Sequence, residues 1–252
     1  MEASAAVIVP GRRLGKLPSK FDERTARLAR FIDARAPKAA PKIHSAVRKV
    51  SQPWGMMRND ALGDCTCAAL GHHVQIWTAN NGPERTPTDA AVVELYDRVN
   101  GGADNGANML DVLNAFSSFG LAGTDKPSAF VAVERTNPEQ VRYAAWLFGG
   151  LYAGYDLPVT AQGQGNRWDY VPNANGNEAG SWGGHATASV VKYDTKGYWI
   201  VSWGDLYYVT NAFHDAYCSE LYAILDPDWL GNDKRSPQGF HLPALQQYLA
   251  SL

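Results

Sequence analysis

Cysteine is scarce in this chain, with three residues, Cys65, Cys67 and Cys218, among 252. So small and odd a number excludes a secreted disulfide framework. Cys-x-Cys without a second ligand pair is a poor zinc signature, so neither metal nor cofactor is expected. No apolar run approaches the roughly 18 residues of a membrane span, which removes the membrane as a partner. The opening Met-Glu-Ala-Ser-Ala-Ala-Val-Ile-Val-Pro lacks the basic segment and apolar core of a secretory signal. A protein kept in a reducing compartment is expected.

What is present is a globular composition, 45% hydrophobic and 11% aromatic, in a length that suits one large domain or two lobes around a shared core. The net charge of −2 hides an asymmetry. Residues 1–50 hold twelve Lys/Arg against four Asp/Glu, a net +8, leaving −10 for the rest. A basic arm thus precedes an acidic body. Three roles are open to it: a strap packed on its own domain, a dock for a neighbouring protein subunit, or an inhibitory pro-segment. Nucleic acid is not an expected partner, because the arm lacks interleaved aromatics and the body repels phosphate.

Along the chain, residues 1–21 read as extended, and Asp22 is placed to cap a helix running to Ala34 before the Pro/Ala/Lys linker of residues 35–42. Helices are expected at 65–80, with Leu70, Val74 and Trp77 on the buried side, then at 88–99 and 109–119. The pattern changes near residue 129. Strands are expected at 130–134 and 151–155 around a helix opened by Asn137-Pro138. Residues 160–182 form a Gly/Gln/Asn-rich loop pinned by Trp168 and Trp182. A hairpin over 185–193 and 197–203 turns at Asp194-Thr195-Lys196-Gly197. Beyond it, 212–225 reads as a helix running into a strand at 222–225, and the tail closes in a short amphipathic helix with Leu242, Leu245 and Leu249. The division is an arm (1–50), a helical part (51–128) and a β-rich part (129–252), an α+β chain.

The stretch Asn59–Trp77 carries the chemistry. A polar turn ends at Gly63-Asp64 and a helix opens at Cys65, where unpaired N–H groups and the helix dipole favour a thiolate. Asp64 is a natural N-cap, although a carboxylate beside the thiol opposes that effect. His72 and His73 point to different faces of the helix and read as surface or core residues rather than ligands.

Far downstream lie Gly183-Gly184-His185-Ala186-Thr187 and Ser202-Trp203-Gly204. With Asn59 six residues before Cys65, and with His185 and Ser-Trp-Gly in that order and register, the chain resembles papain-like cysteine peptidases over about residues 52–225. It is also similar to uncharacterised papain-like proteins of bacteriophages. The separation of Cys65 and His185 is 120 residues, a little under the roughly 130–150 expected for the family.

The resemblance implies a two-lobe fold, an N-terminal helical lobe carrying Cys65 and a C-terminal, mostly antiparallel β lobe carrying His185. Gly101–Gly106 resembles the family's cleft-lining loop, without its cysteines. The resemblance further implies a protein or peptide substrate, Cys65 as nucleophile, His185 as base and Asn59 in the place of the oxyanion-hole glutamine. It places the protein in a host cytoplasm or a virion. The family's third member is an asparagine sixteen residues after the histidine, where this chain has Val201. Asp205 is the preferred substitute, with Asp194 a second. Ser202 is disfavoured because residues 201 and 202 lie on opposite faces of a strand. Two functions stay open: a thiol hydrolase of peptide or isopeptide bonds, weakened by the incomplete triad, and an inactive papain-like fold serving as a structural or binding protein.

Overall fold

The computed structural model describes residues 10–29, 39–124, 126–230 and 235–238. In chain order it contains β1 (His44–Ser45), α1 (Cys65–Asn81), α2 (Asp89–Asn100), α3 (Met109–Phe119), β2 (Ala129–Ala132), α4 (Pro138–Phe148), β3 (Leu151–Leu157), β4 (Arg167–Trp168), β5 (Gly183–Tyr193), β6 (Gly197–Ser202), β7 (Asp205–Thr210), α5 (Asn211–Tyr217) and β8 (Cys218–Leu225). The helix starts follow local chemistry. The side chains of Thr88, Asn108, Asn137 and Thr210 accept hydrogen bonds from the second or third N–H of the helices they precede.

The strands form one sheet in the order β2-β8-β3-β5-β6-β7-β4, with β1 attached to β5. All neighbours are antiparallel except β4 with β7. This α+β fold has a helical lobe, α1 to α3, against a mostly antiparallel β lobe. The expected hairpin is β5-β6, and its turn is held by Asp194 Oδ1, which accepts from the N–H groups of Lys196 and Gly197.

Helix α1 departs from the expected one-sided burial: every residue from Cys65 to Ala79 is buried. It contains no Asp, Glu, Lys or Arg, and it lies between β5 and the α2 side, so no face is left for water. Trp77 Nε1 donates to Phe148 O at 3.1 Å and ties the helix to the end of α4. The strand expected at 222–225 begins already at Cys218. Asp22 opens a turn rather than a helix: Thr25 N donates to Asp22 O, and Arg27 bridges Ala132. The remainder of that expected helix, and the one expected around Leu242–Leu249, lie outside the described residues.

Candidate active site

Cys65 is the first residue of α1, so its own N–H has no acceptor within the helix. Its Sγ accepts from Ala186 N at 3.4 Å, which fixes the thiol against the start of β5 beside His185. Cys65 and His185, each 1% exposed, line one closed pocket of about 10 Å³, no more than a single water needs. Asn59, His72, Val201, Ser202 and Trp203 complete its wall.

The His185 ring is fixed on two sides. Trp203 stacks on it with ring centroids 4.1 Å apart and planes at 17°. Its Nε2 shares a 2.7 Å hydrogen bond with Ser202 Oγ, while Nδ1 has no partner among the described residues. This contact corrects the expectation that Ser202 faces away. Ala188 pairs with Val201 across the β5-β6 ladder, so those two share one face, while His185 and Ser202 fall together on the other. Trp203 and Gly204 form the two-residue turn into β7 with φ of 44° and 72°. A left-handed backbone is costly for a tryptophan, and here it accompanies the ring stack on the histidine.

Asp205 lies elsewhere. It starts β7 in an exposed position, its Oδ1 accepts from Leu206 N at 2.7 Å, and it is not part of the pocket wall. Asp194 is engaged at the hairpin turn. Val201 is fully buried at the pocket wall, with no polar atom to offer the ring. Asn59 does reach the pocket, but its amide donates to Leu62 O at 3.0 Å and toward the Asp64 carboxyl.

Burial dominates the electrostatics. It pushes the Cys65 thiol up to about 12, opposed by backbone hydrogen bonds from Ala186 and Gly15. It pulls His185 down to about 3. As it stands the pair is a neutral thiol and a neutral imidazole. Asp64 is fully buried, and desolvation raises its carboxyl to about 8, so near neutral pH it is mostly protonated and places little negative charge beside the thiol. It occupies the N-cap position, yet its side chain makes no capping hydrogen bond.

The cover of this pocket is the basic arm. Arg13 N donates to Asn59 O, Gly15 N and Lys16 N to Gly184 O, Leu17 N to Ala107 O, and Ala107 N to Gly15 O. The arm therefore lies in the groove between the helical lobe (Asn59–Gly63 and Ala107) and the start of β5. The Arg12 guanidinium sits 5.4 Å from the Trp203 ring, whose Nε1 donates to Arg13 O. Only glycines allow so close an approach. A Cβ on Gly15 would stand 1.8 Å from Gly63 O, and one on Gly184 would stand 2.1 Å from Lys16 O. Lys16 and Lys20 form ion pairs with carboxylates of the acidic body.

No protein-family model matches the sequence, and no curated protein is significantly similar to it. Solved structures do match. Xylellain, a cysteine protease from Xylella fastidiosa, superposes with a TM-score of 0.64 at 15% identity, over 87% of this chain and 99% of that one. Procathepsin B S9 from Trypanosoma congolense gives 0.60 at 9% identity, over 86% and 87% of the two chains. The digestive procathepsin L2 proteinase of Tenebrio molitor larval midgut gives 0.59 at 12%, over 86% and 79%. With a helical lobe, a mostly antiparallel β lobe and neighbours of this kind, the chain has the papain-like cysteine protease fold.

Proposed function

We propose that this chain is a thiol hydrolase of peptide or isopeptide bonds, held closed by residues 12–17 of its own arm. The observation that carries the reading is the 2.7 Å contact between His185 Nε2 and Ser202 Oγ. With Nε2–H donating to Ser202, the free nitrogen is Nδ1, in the pocket shared with Cys65. Ser202 then does the orienting work of the missing asparagine by fixing tautomer and ring angle.

When the arm leaves, water and substrate relieve the desolvation that holds both groups neutral. The thiol proton moves to Nδ1, and the thiolate attacks the substrate carbonyl. The Cys65 N–H meets the oxyanion. Asn59 adds a second donor only by releasing Leu62 or Asp64. The imidazolium returns its proton to the leaving amine, and a water activated by the same nitrogen hydrolyses the thioester. An arm lying over the nucleophile favours a latent enzyme, whereas the inert thiol and the buried Val201 are what favour the alternative, an inactive structural or binding protein.

The deciding experiment uses the full chain and Gly15→Val, in which the new side chain cannot fit against Gly63. Both are treated with an iodoacetamide probe and a mixed peptide library, with Cys65→Ala as control. Labelling of Cys65 and cleavage in the opened variant support the reading. Labelling without cleavage above the control would leave the inactive alternative.

A further inference from the structure

Lys16 is 5% exposed, an unusual burial for a lysine, and it is the arm side chain that enters the body. Its Nζ lies 3.1 Å from Asp156 Oδ1, 3.5 Å from Glu220 Oε1 and 3.3 Å from Leu17 O. Two of those acceptors belong to β3 and β8 and are held from the body itself. Ser219 Oγ donates to Asp156 at 3.2 Å, and Tyr222 OH donates to Glu220 at 3.0 Å. The lysine stem passes over Gly154, where a Cβ would come within 2.6 Å of Lys16 Cε and 2.8 Å of Glu220 Cγ. The acidic end and the glycine wall are therefore features of the cleft, independent of the arm.

We infer that this pocket, one residue along the arm from the backbone contact with Cys65, is a specificity site that takes the lysine side chain of an incoming extended peptide. Departure of the arm leaves Glu220, 7% exposed, without its cation, and burial already raises its carboxyl above the ordinary value. An unpaired buried charge is costly, so a chain that returns an ammonium regains what the arm provided. The remaining arm contacts in the groove are backbone hydrogen bonds to Gly184 and Ala107, which any extended peptide can make. Leu17, by contrast, is 42% exposed. Three acceptors around one nitrogen suit a compact ammonium better than a planar guanidinium.

The inference rests on the hydrolase reading for the fate of the peptide and not for its binding, so the two are measured separately. The full chain is opened in two independent ways, by Gly15→Val through sterics and by Lys16→Glu through repulsion from Asp156 and Glu220. Each carries Cys65→Ala so that nothing is consumed, and folding is checked by circular dichroism. Either opened variant that folds is sufficient. A fluorescent nonapeptide copying residues 12–20, and versions with leucine or arginine at its fifth position, are titrated by anisotropy. Replacement of the lysine by leucine is expected to weaken binding at least tenfold, and by arginine to a smaller degree. Glu220→Gln is expected to abolish the preference by weakening the lysine peptide alone. Equal binding of the lysine and leucine peptides, or a preference that survives Glu220→Gln, overturns the pocket. With Cys65 restored, lysine-dependent binding without cleavage counts against the hydrolase and leaves the pocket. Cleavage indifferent to lysine does the reverse.

Discussion

Ser202 holds His185: their side chains meet at 2.7 Å through Oγ and Nε2, on the shared face of a hairpin whose next residue, Trp203, stacks on the same ring. Ser202→Ala removes the polar restraint and leaves the stack. The fold should be nearly unaffected, with about 1 kcal/mol lost for the buried hydrogen bond. In the opened Gly15→Val background, however, turnover should fall at least a hundredfold, given that loss of the orienting group costs about 10⁴ in a related serine system. Thermal melts and initial rates check the two halves, and an unchanged rate would show that Ser202 is packing only.

Restoring asparagine at position 201 should not repair the site. Val201 is fully buried and pairs with Ala188, on the opposite strand face from Ser202. Val201→Asn therefore buries an amide without improving the ring's restraint, and should destabilise the protein by roughly 1–3 kcal/mol. A chemical denaturation series measures this. Faster labelling of Cys65 with no loss of stability would contradict it.

Acid should unfold the protein well above the usual carboxylate range. His72, His73, His185 and His214 are each at most 2% exposed, and burial lowers them to about 4, 3, 3 and 4. A histidine kept neutral when folded but ordinary when unfolded binds its proton preferentially in the unfolded state. Stability is then lost as pH falls below the unfolded value of about 6.5, by about 1 kcal/mol per histidine near pH 5.5. Asp64 acts in the opposite sense over part of this window, one group against four. Melting temperatures from pH 8 to 5 should fall steadily below pH 6.5, and a flat profile would show that the histidines reach water.

Asp64 supplies the complementary experiment. Its carboxyl is raised to about 8, so the folded state prefers the proton and stability is lost as pH rises from the unfolded value, about 4, through 8. Asp64→Asn keeps the shape and removes the titration. The melting temperature of the variant relative to wild type should climb between pH 5 and 9, reaching on the order of 2 kcal/mol. A difference constant with pH would mean that Asp64 is ionised throughout.

Much of this was legible in the sequence, for identifiable reasons. The start of α1 is marked by Gly63-Asp64 and an uncharged run, and the β5-β6 hairpin by Asp194 and Gly197 around its turn. The face of Ser202 was misread because alternation relates residues within a strand. Which face meets His185 depends on the pairing of Ala188 with Val201. Strand β7 escaped notice because its turn is Trp203-Gly204, where a bulky residue adopts a conformation that usually calls for Asn or Gly. The seat of the arm was hidden for a different reason. Gly15, Gly63, Gly106 and Gly184 stand far apart in the chain, and only the fold brings them to the arm's path.

The central claim is that Cys65 is a working nucleophile silenced by its own arm, and the rate of its alkylation tests this most directly. Wild type, Gly15→Val and Gly15→Val with Ser202→Ala are exposed to iodoacetamide at pH 7, and modification at Cys65 is separated from that at Cys67 and Cys218 by peptide mass spectrometry. The account expects Cys65 in Gly15→Val to react at least ten times faster than in wild type, and the added Ser202→Ala to remove most of that gain. Equal rates in all three proteins, with the opened variant folded, would contradict it.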